Sequence, residues 1–295
     1  MQIATQINPQ IAPMSQPDSA TTRRQQYSND GYCLLPDFFR LADIEQIYDD
    51  MMALFAFQMR HLGIPQSNWR DPHGLRTNFL ALFNIDREAY RGAARQSQLL
   101  PSIQHLTTSP MIVETLRSLG LDAPVVSTKP VCHYMTEALK IPGGYHKAPP
   151  HQEWRSMQGS LGGVVLWIPL VDMDEQSYAP ECVPGSHKFG LLNTEPHVAT
   201  PMVMDDRIHE TDFVALHPKR GDLAIFSGFI VHRTGARGDD RVRVAMSLRY
   251  NNAAEPSYVG HAYPTLYKYD YQLELMFDNF TADHQVKGIF TDLAR

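Results

Sequence analysis

The chain has 295 residues, 43% of them hydrophobic and 20% charged, with a formal net charge of -6. That much apolar material supports a sizeable core and excludes disorder for most of the length, while scattered Lys and Arg on an acidic chain argue against nucleic-acid binding, which needs a concentrated basic face. Three cysteines, Cys33, Cys132 and Cys182, are too few and too far apart for a disulfide framework or a zinc cluster, so a reducing, cytoplasmic location is expected.

Residues 1–24 are rich in Gln, Ser, Thr and Pro and contain neither a leader pattern nor a run long enough to span a bilayer, so they are expected to form a flexible arm with no membrane role. The remainder, residues 25–295, reads as a single domain. Residues 30–39 pattern as a turn, a short apolar strand and a proline stop. A helix is predicted from Leu41, because Ile44, Ile47, Tyr48, Met51, Leu54 and Phe55 fall on one stripe. Ser109, Pro110 and Gly120 bracket a second helix with Ile112, Leu116 and Leu119 facing inward. Residues 25–123 therefore lean helical.

From Pro124 the pattern changes to short β-rich runs separated by Gly and Pro: residues 125–126, 131–135, 163–170, 213–214, 222–226 and 241–250. Many short strands with turns between them predict a sandwich or barrel over residues 124–252. The last run alternates: Val242, Val244, Met246 and Leu248 share one face, and Arg241, Arg243, Ala245, Ser247 and Arg249 share the other. Three arginines on one face suggest a barrel interior or mouth that meets an anion. In the extension, residues 253–295, a short apolar stretch at 273–277 is expected to pack as a helix or lid.

His151 and Glu153 stand two apart, which on an extended chain sends both side chains to one face. His232, at the end of a β-like segment, is the best candidate for a third ligand. Two His and one carboxylate on one side of an iron(II) ion leave positions for a bidentate cosubstrate and dioxygen. A lone His-x-Glu carries little weight, since 13 His and 32 acidic residues produce such pairs by chance, and its plainer reading is a surface His beside a solvated Glu. Its placement between β-like segments, with a later His-x-Thr and a downstream Arg, is what raises it.

These residues resemble the phytanoyl-CoA dioxygenase family, whose pattern is His-x-Asp, a distal His, and an Arg eleven positions further on, here Arg243. The resemblance extends to Asp-Gly-Tyr at 30–32, Pro-Gly-Ser-His at 184–187, and Gly-Asp leading to Phe226 ahead of the distal His. It covers residues 28–250 and implies a double-stranded β-helix, or jelly-roll, core wrapped by helices, binding iron(II) and using 2-oxoglutarate and dioxygen. Carried over, Arg243 would pair with the distal carboxylate of 2-oxoglutarate as a bidentate fork, with Arg241 and Arg249 as competitors and Thr234 adding a hydroxyl. Trp167, His133 and Met135 match positions that line the cofactor pocket, although Trp167, Met135 and Thr234 are equally explained as core packing. The family usually has Asp where Glu153 stands, which moves the carboxylate outward by roughly 1.5 Å. The presence of a carboxylate disfavours halogenation, since halogenases of this fold leave that position to chloride.

The expected activity is hydroxylation, or a related oxidation, of a polar small molecule such as a saccharide, a modified amino acid or a natural-product intermediate. Tyr145, His146, Lys147, Trp154, Arg155 and Gln158 flank the ligands and form a polar, aromatic and cationic group that is expected to face it; solvated loop charges are the plainer account of Lys147 and Arg155. A cupin-like metalloenzyme without 2-oxoglutarate and a catalytically silent binding protein remain as alternatives. Pro-Gly-Ser-His at 184–187 reads as a tight turn rather than a nucleophile site, and His187 and His197 are expected in surface loops.

Overall fold

The computed structural model describes residues 20–140, 146–197 and 200–264. Six helices occupy the first part: α1 (Ala20–Asp30), α2 (Leu41–His61), α3 (Pro72–Ile85), α4 (Arg87–Ser97), α5 (Pro101–Thr107) and α6 (Pro110–Ser118), with β1 (Tyr32–Leu35) between the first two. Of the predicted stripe on α2, Ile44, Ile47, Tyr48, Met51 and Phe55 are buried and Leu54 is partly so, and Met52, Ala56 and Met59 extend the buried face. Asp71 begins α3 by accepting a hydrogen bond from Gly74 N–H at 2.7 Å with Pro72 in the first turn. Asp86 ends that helix and begins the next, accepting from Ala89 N–H at 2.9 Å. Helix α1 starts at Ala20, inside the stretch expected to be an arm; Tyr27 is 3% exposed in the main core, so tertiary docking overrides the polar composition there. Residues 1–19 of that arm, and the 273–277 stretch expected as a helix or lid, lie outside the described residues.

The strands that follow are β2 (Pro124–Met135), β3 (Val164–Pro169), β4 (Pro180–Cys182), β5 (Thr194–Glu195), β6 (Met202–Val203), β7 (Val214–Ala215), β8 (Leu223–Ser227), β9 (His232–Thr234) and β10 (Arg243–Asn252), with the short helices α7 (Trp154–Met157) and α8 (Pro256–Gly260). They form an antiparallel sheet in the order β1-β8-β3-β10-β2 and a smaller one in the order β7-β4-β9, with β5 and β6 paired apart. The two runs predicted at 125–126 and 131–135 are one strand. Pro130 is tolerated within it because β2 lies at the edge of the sheet, where a missing N–H costs no ladder bond.

Alternation along the strands sorts side chains into two layers. Val164, Leu166 and Ile168 of β3, with Val244, Met246 and Leu248 of β10, join the helices in the main core. Val165, Trp167 and Ala245 turn the other way and pack with Cys182, Ala224, Phe226 and Ile230 between the two sheets. The fold is thus a jelly roll whose larger sheet is backed by helices, and the arginine-bearing face of β10 looks into the space between the sheets.

Candidate metal centre

His232 opens β9, and His151 pairs with it as one further rung of the small sheet: His151 N–H donates to His232 O at 2.9 Å and His232 N–H to His151 O at 3.0 Å. Directly opposed residues on antiparallel chains project their side chains to the same face, and the ring centroids lie 4.1 Å apart. Each ring donates from Nδ1 to a carbonyl two residues back, His151 to Pro149 O at 2.8 Å and His232 to Ile230 O at 3.1 Å. Those bonds fix the tautomer and turn both Nε2 lone pairs toward a common point. Phe226 lies parallel to the His232 ring, 5.6 Å away.

Glu153 reaches the same point by a different route from the one expected. Its backbone is helical, at φ -65° and ψ -30°, where the chain enters α7, and Trp154 N–H is tied to Gly228 O at 2.7 Å. The carboxylate nonetheless turns back, placing Oε2 3.7 Å from His151 Nε2 and 3.8 Å from His232 Nε2. The three ligand atoms lie within 4.8 Å of one another, the one such grouping of His, Cys, Asp and Glu among the described residues.

Electrostatics put His232 and Glu153 in their ligating forms. Burial pushes the His232 imidazole down to about 3, with the neighbouring His151 adding to the effect. Burial would raise the Glu153 carboxyl, but the charge of Arg249, with lesser contributions from the two histidines, holds it well below the ordinary range. A neutral imidazole and an ionised carboxylate are what a divalent metal requires.

Gln152, between the two ligands, faces away and is fully engaged: its amide N–H groups donate to Gly190 O and Phe229 O, each at 2.7 Å, and its carbonyl accepts from Leu192 N–H at 2.8 Å. Nothing in its sequence context marks it.

On β10, Arg243 lies opposite Met135, Ala245 opposite His133, and Ser247 opposite Trp167 of β3, so all four cofactor-side candidates of the large sheet share the inner face. His133 Nε2 is 3.0 Å from Ser247 Oγ, and burial with the charges of Arg243 and Arg249 pushes its imidazole down to about 3. Thr234 projects from β9 on the His232 side and accepts from Ala148 N–H at 3.2 Å. The three arginines expected to share one face have separate partners. Arg241 sits outside, bound to Asp174 and Asp239. Arg249 donates to Glu153 Oε1 at 2.6 Å. Arg243, 6% exposed, donates from Nη1 to Tyr178 O.

The group expected to face substrate is dispersed. Tyr145 lies outside the described residues. His146 and Lys147 both lean on Glu137, the lysine also over the Tyr178 ring at 4.2 Å. Trp154 is stacked on Phe229 at 5.6 Å in the main core, Arg155 donates to Leu192 O at 3.0 Å, and Gln158 is buried with its amide on Arg155 O at 3.2 Å. An extended chain would have aimed alternate side chains at the metal. The turn into α7, closed by Gln158 in a left-handed conformation (φ 43°), carries them into the protein instead.

The tight turn at Pro184–His187 is present, with Gly185 at φ 79°, but His187 is wholly buried rather than in a surface loop. Its Nε2 donates to Ser28 O at 3.0 Å.

The Phytanoyl-CoA dioxygenase family model matches residues 27–245. Over 163 residues the chain is 28% identical to phytanoyl-CoA dioxygenase domain-containing protein 1 of Mus musculus, covering 52% of this chain and 54% of that protein. A phytanoyl-CoA dioxygenase of Arabidopsis thaliana is 27% identical over 158 residues, covering 51% and 53%. The match thus spans about half the length of these curated relatives. Among solved structures, the epimerase SnoN in complex with Fe3+, alpha ketoglutarate and nogalamycin RO superposes with a TM-score of 0.55 at 17% identity, covering 82% of this chain and 88% of that one. EctD from S. alaskensis with 2-oxoglutarate and 5-hydroxyectoine gives 0.55 at 16% identity, covering 83% and 79%. These likenesses show a shared fold, and the family match, extending from just before the Asp-Gly-Tyr turn to Ala245 and enclosing both histidines, Glu153 and Arg243, shows that the chain belongs to the phytanoyl-CoA dioxygenase family.

Proposed function

We propose that the chain is an iron(II), 2-oxoglutarate-dependent oxygenase that hydroxylates, or otherwise oxidises, a polar small molecule. The observation that carries this reading is the convergence of His151 Nε2, His232 Nε2 and Glu153 Oε2 on one point beside a buried arginine-bearing strand face. The donor set fits a metal of this class. Ligand atoms about 2.1 Å from an ion stand roughly 3.0–3.4 Å from each other, so the 3.7 and 3.8 Å separations close with small side-chain shifts.

His151, Glu153 and His232 would hold the ion on one side only. Dioxygen would be the oxidant, with iron and 2-oxoglutarate supplying its activation: two of its four oxidising equivalents would convert the cosubstrate to succinate and carbon dioxide, and two would oxidise the substrate. The protein's part is binding and orientation. Arg243, fixed on β10, would take the distal carboxylate of the cosubstrate, with Thr234 from the facing strand as a second donor. Trp167, Met135 and neutral His133 would wall that end and keep water from it. The preference for a polar small substrate draws on the small organic molecules, nogalamycin RO and 5-hydroxyectoine, bound by two proteins of this fold.

The test is succinate release and oxygen uptake on adding iron(II) and 2-oxoglutarate, with and without candidate substrates. Wild type should form succinate, and His232→Ala should not. Arg243→Lys, which loses the two-pronged contact, should raise the 2-oxoglutarate requirement about 10- to 100-fold. Metal-loaded protein that never turns over 2-oxoglutarate would sink this reading.

A further inference from the structure

We propose that Arg249 is a positioning residue of the metal centre, holding Oε1 of Glu153 so that Oε2 alone is presented beside the two imidazoles. This rests on the reading of His151, Glu153 and His232 as metal ligands. A glutamate has one more rotatable bond than the aspartate usual at this position, and ordering a free Glu side chain costs rotamer entropy. A long carboxylate is also able to swing away from the ion or to offer it both oxygens, which would take up a coordination position needed by reactants.

Three features make Arg249 the restraint. Its Nε donates to Oε1 at 2.6 Å, with both side chains mostly buried, at 12% and 8% exposure. The guanidinium is itself held, because Nη1 donates to Ser247 Oγ at 3.2 Å and that hydroxyl lies 3.0 Å from His133 Nε2. Finally, the pairing of β10 with β3 runs unbroken through Arg249, so its side chain keeps the strand's alternation, while the two slips in the pairing with β2 put their extra residues on β2. The regular pairing with β3 holds Arg249 on the same inner face as Ser247 and Ala245, the face from which it reaches the ligand carboxylate.

Arg249 acts on the metal in two opposed ways. Its charge repels a divalent ion; its hydrogen bond fixes the ligand. Fixing should win, because the charge-assisted bond to a buried carboxylate is short and directional, whereas the positive charge is already offset by the carboxylate it touches.

The experiment titrates the metal-free full chain with Co(II), reading the visible ligand-field bands and the heat of binding. Arg249→Met should raise Kd about 10- to 100-fold and alter the intensity and position of the bands. Arg249→Lys, which keeps the charge but loses the Ser247 anchor, should raise Kd about 5-fold or more and carries the test should Arg249→Met fail to fold. With Glu153→Asp, whose carboxylate ends about 1.5 Å short of the guanidinium, replacing Arg249 should change Kd by less than about 3-fold, since the coupling is gone. The proposal is overturned by Arg249→Met or Arg249→Lys that binds Co(II) as tightly as wild type, or more tightly, with unchanged bands while Glu153→Ala loses binding. Wild type that binds no Co(II) at all would overturn the reading of the site, and the proposal with it.

Discussion

Gln152 shows how much of the candidate metal site depends on residues outside the three proposed ligands. It stands between His151 and Glu153, and its side chain satisfies three buried backbone groups from two separate loops. The turn that brings a helical Glu153 next to an extended His151 is thereby fixed from behind. Replacing it by Leu keeps the volume and strands those three groups, at about 1–3 kcal/mol each. Gln152→Leu should therefore lower the urea-unfolding free energy by about 3 kcal/mol or more and weaken metal binding together with it. A variant as stable as wild type would show that the loops are held by other means. At this scale the candidate ligands were legible because His and Glu are chemically distinctive, whereas a glutamine serving carbonyls looks like any polar residue. Arg249 was legible as a charge on the inner face, but its service to Glu153 was not, because the partners are far apart in the chain.

Two turns recognised separately in the sequence turn out to be one piece of structure. Gly31, at φ 78°, lies so close to the His187 ring that a Cβ would stand 2.4 Å from Nδ1, and Gly185 N–H donates to Asp30 O at 2.8 Å. On the other side Ser186 Oγ accepts from Val231 N–H at 2.9 Å, immediately before the distal ligand His232. The Asp-Gly-Tyr and Pro-Gly-Ser-His motifs thus lock the start of β1 to the strand that carries a ligand. Burial pushes the His187 imidazole from 6.5 down to about 4, the Ser28 carbonyl resisting. Between those values the unfolded chain binds a proton that the folded chain refuses, so stability is full above pH 6.5 and falls as pH drops toward 4. Urea midpoints at pH 7.5 and pH 5 should reveal a loss of about 2 kcal/mol from this group. His187→Gln should lack that part of the loss, and an equal loss in the variant would contradict the assignment. The strand periods themselves were readable, most clearly in β10, where both predicted faces are observed from Arg243 onward, Arg241 lying outside the strand. Edge position was not: it is a property of the sheet, and together with the register slip between Thr128 and Val131 it explains why a proline survives within β2.

Across the whole molecule the site joins parts that the chain keeps apart. The two imidazoles belong to the small sheet, Glu153 to the turn into α7, and the arginines to the large sheet, so a bound ion would tie both sheets and their connection together. A ligand that binds only the folded chain stabilises it by about 2.7 kcal/mol at a hundredfold excess over Kd. For a chain of this length that corresponds to a rise in Tm of roughly 4 °C. Co(II) or Mn(II) should produce that shift, a chelator should reverse it, and Glu153→Ala should abolish it in a thermal melt. A Tm indifferent to metal in wild type would argue that the three side chains hold no ion.

By itself the sequence determined the local and the chemical: the helix stripe of α2, the two faces of β10, the turn residues, and the His, Glu, His and Arg set in its order along the chain. These follow from backbone periodicity and from side-chain types that few other roles require. Only the tertiary structure decided which polar residues serve which. Of the three arginines expected on one face, Arg241 lies outside in a surface ion pair, Arg243 is buried on the inner face and Arg249 is bonded to Glu153, while Trp154 and Gln158 are turned into the protein. That sorting depends on where the chain turns and which strands become neighbours, and pairings between residues so far apart leave no mark in their local spacing.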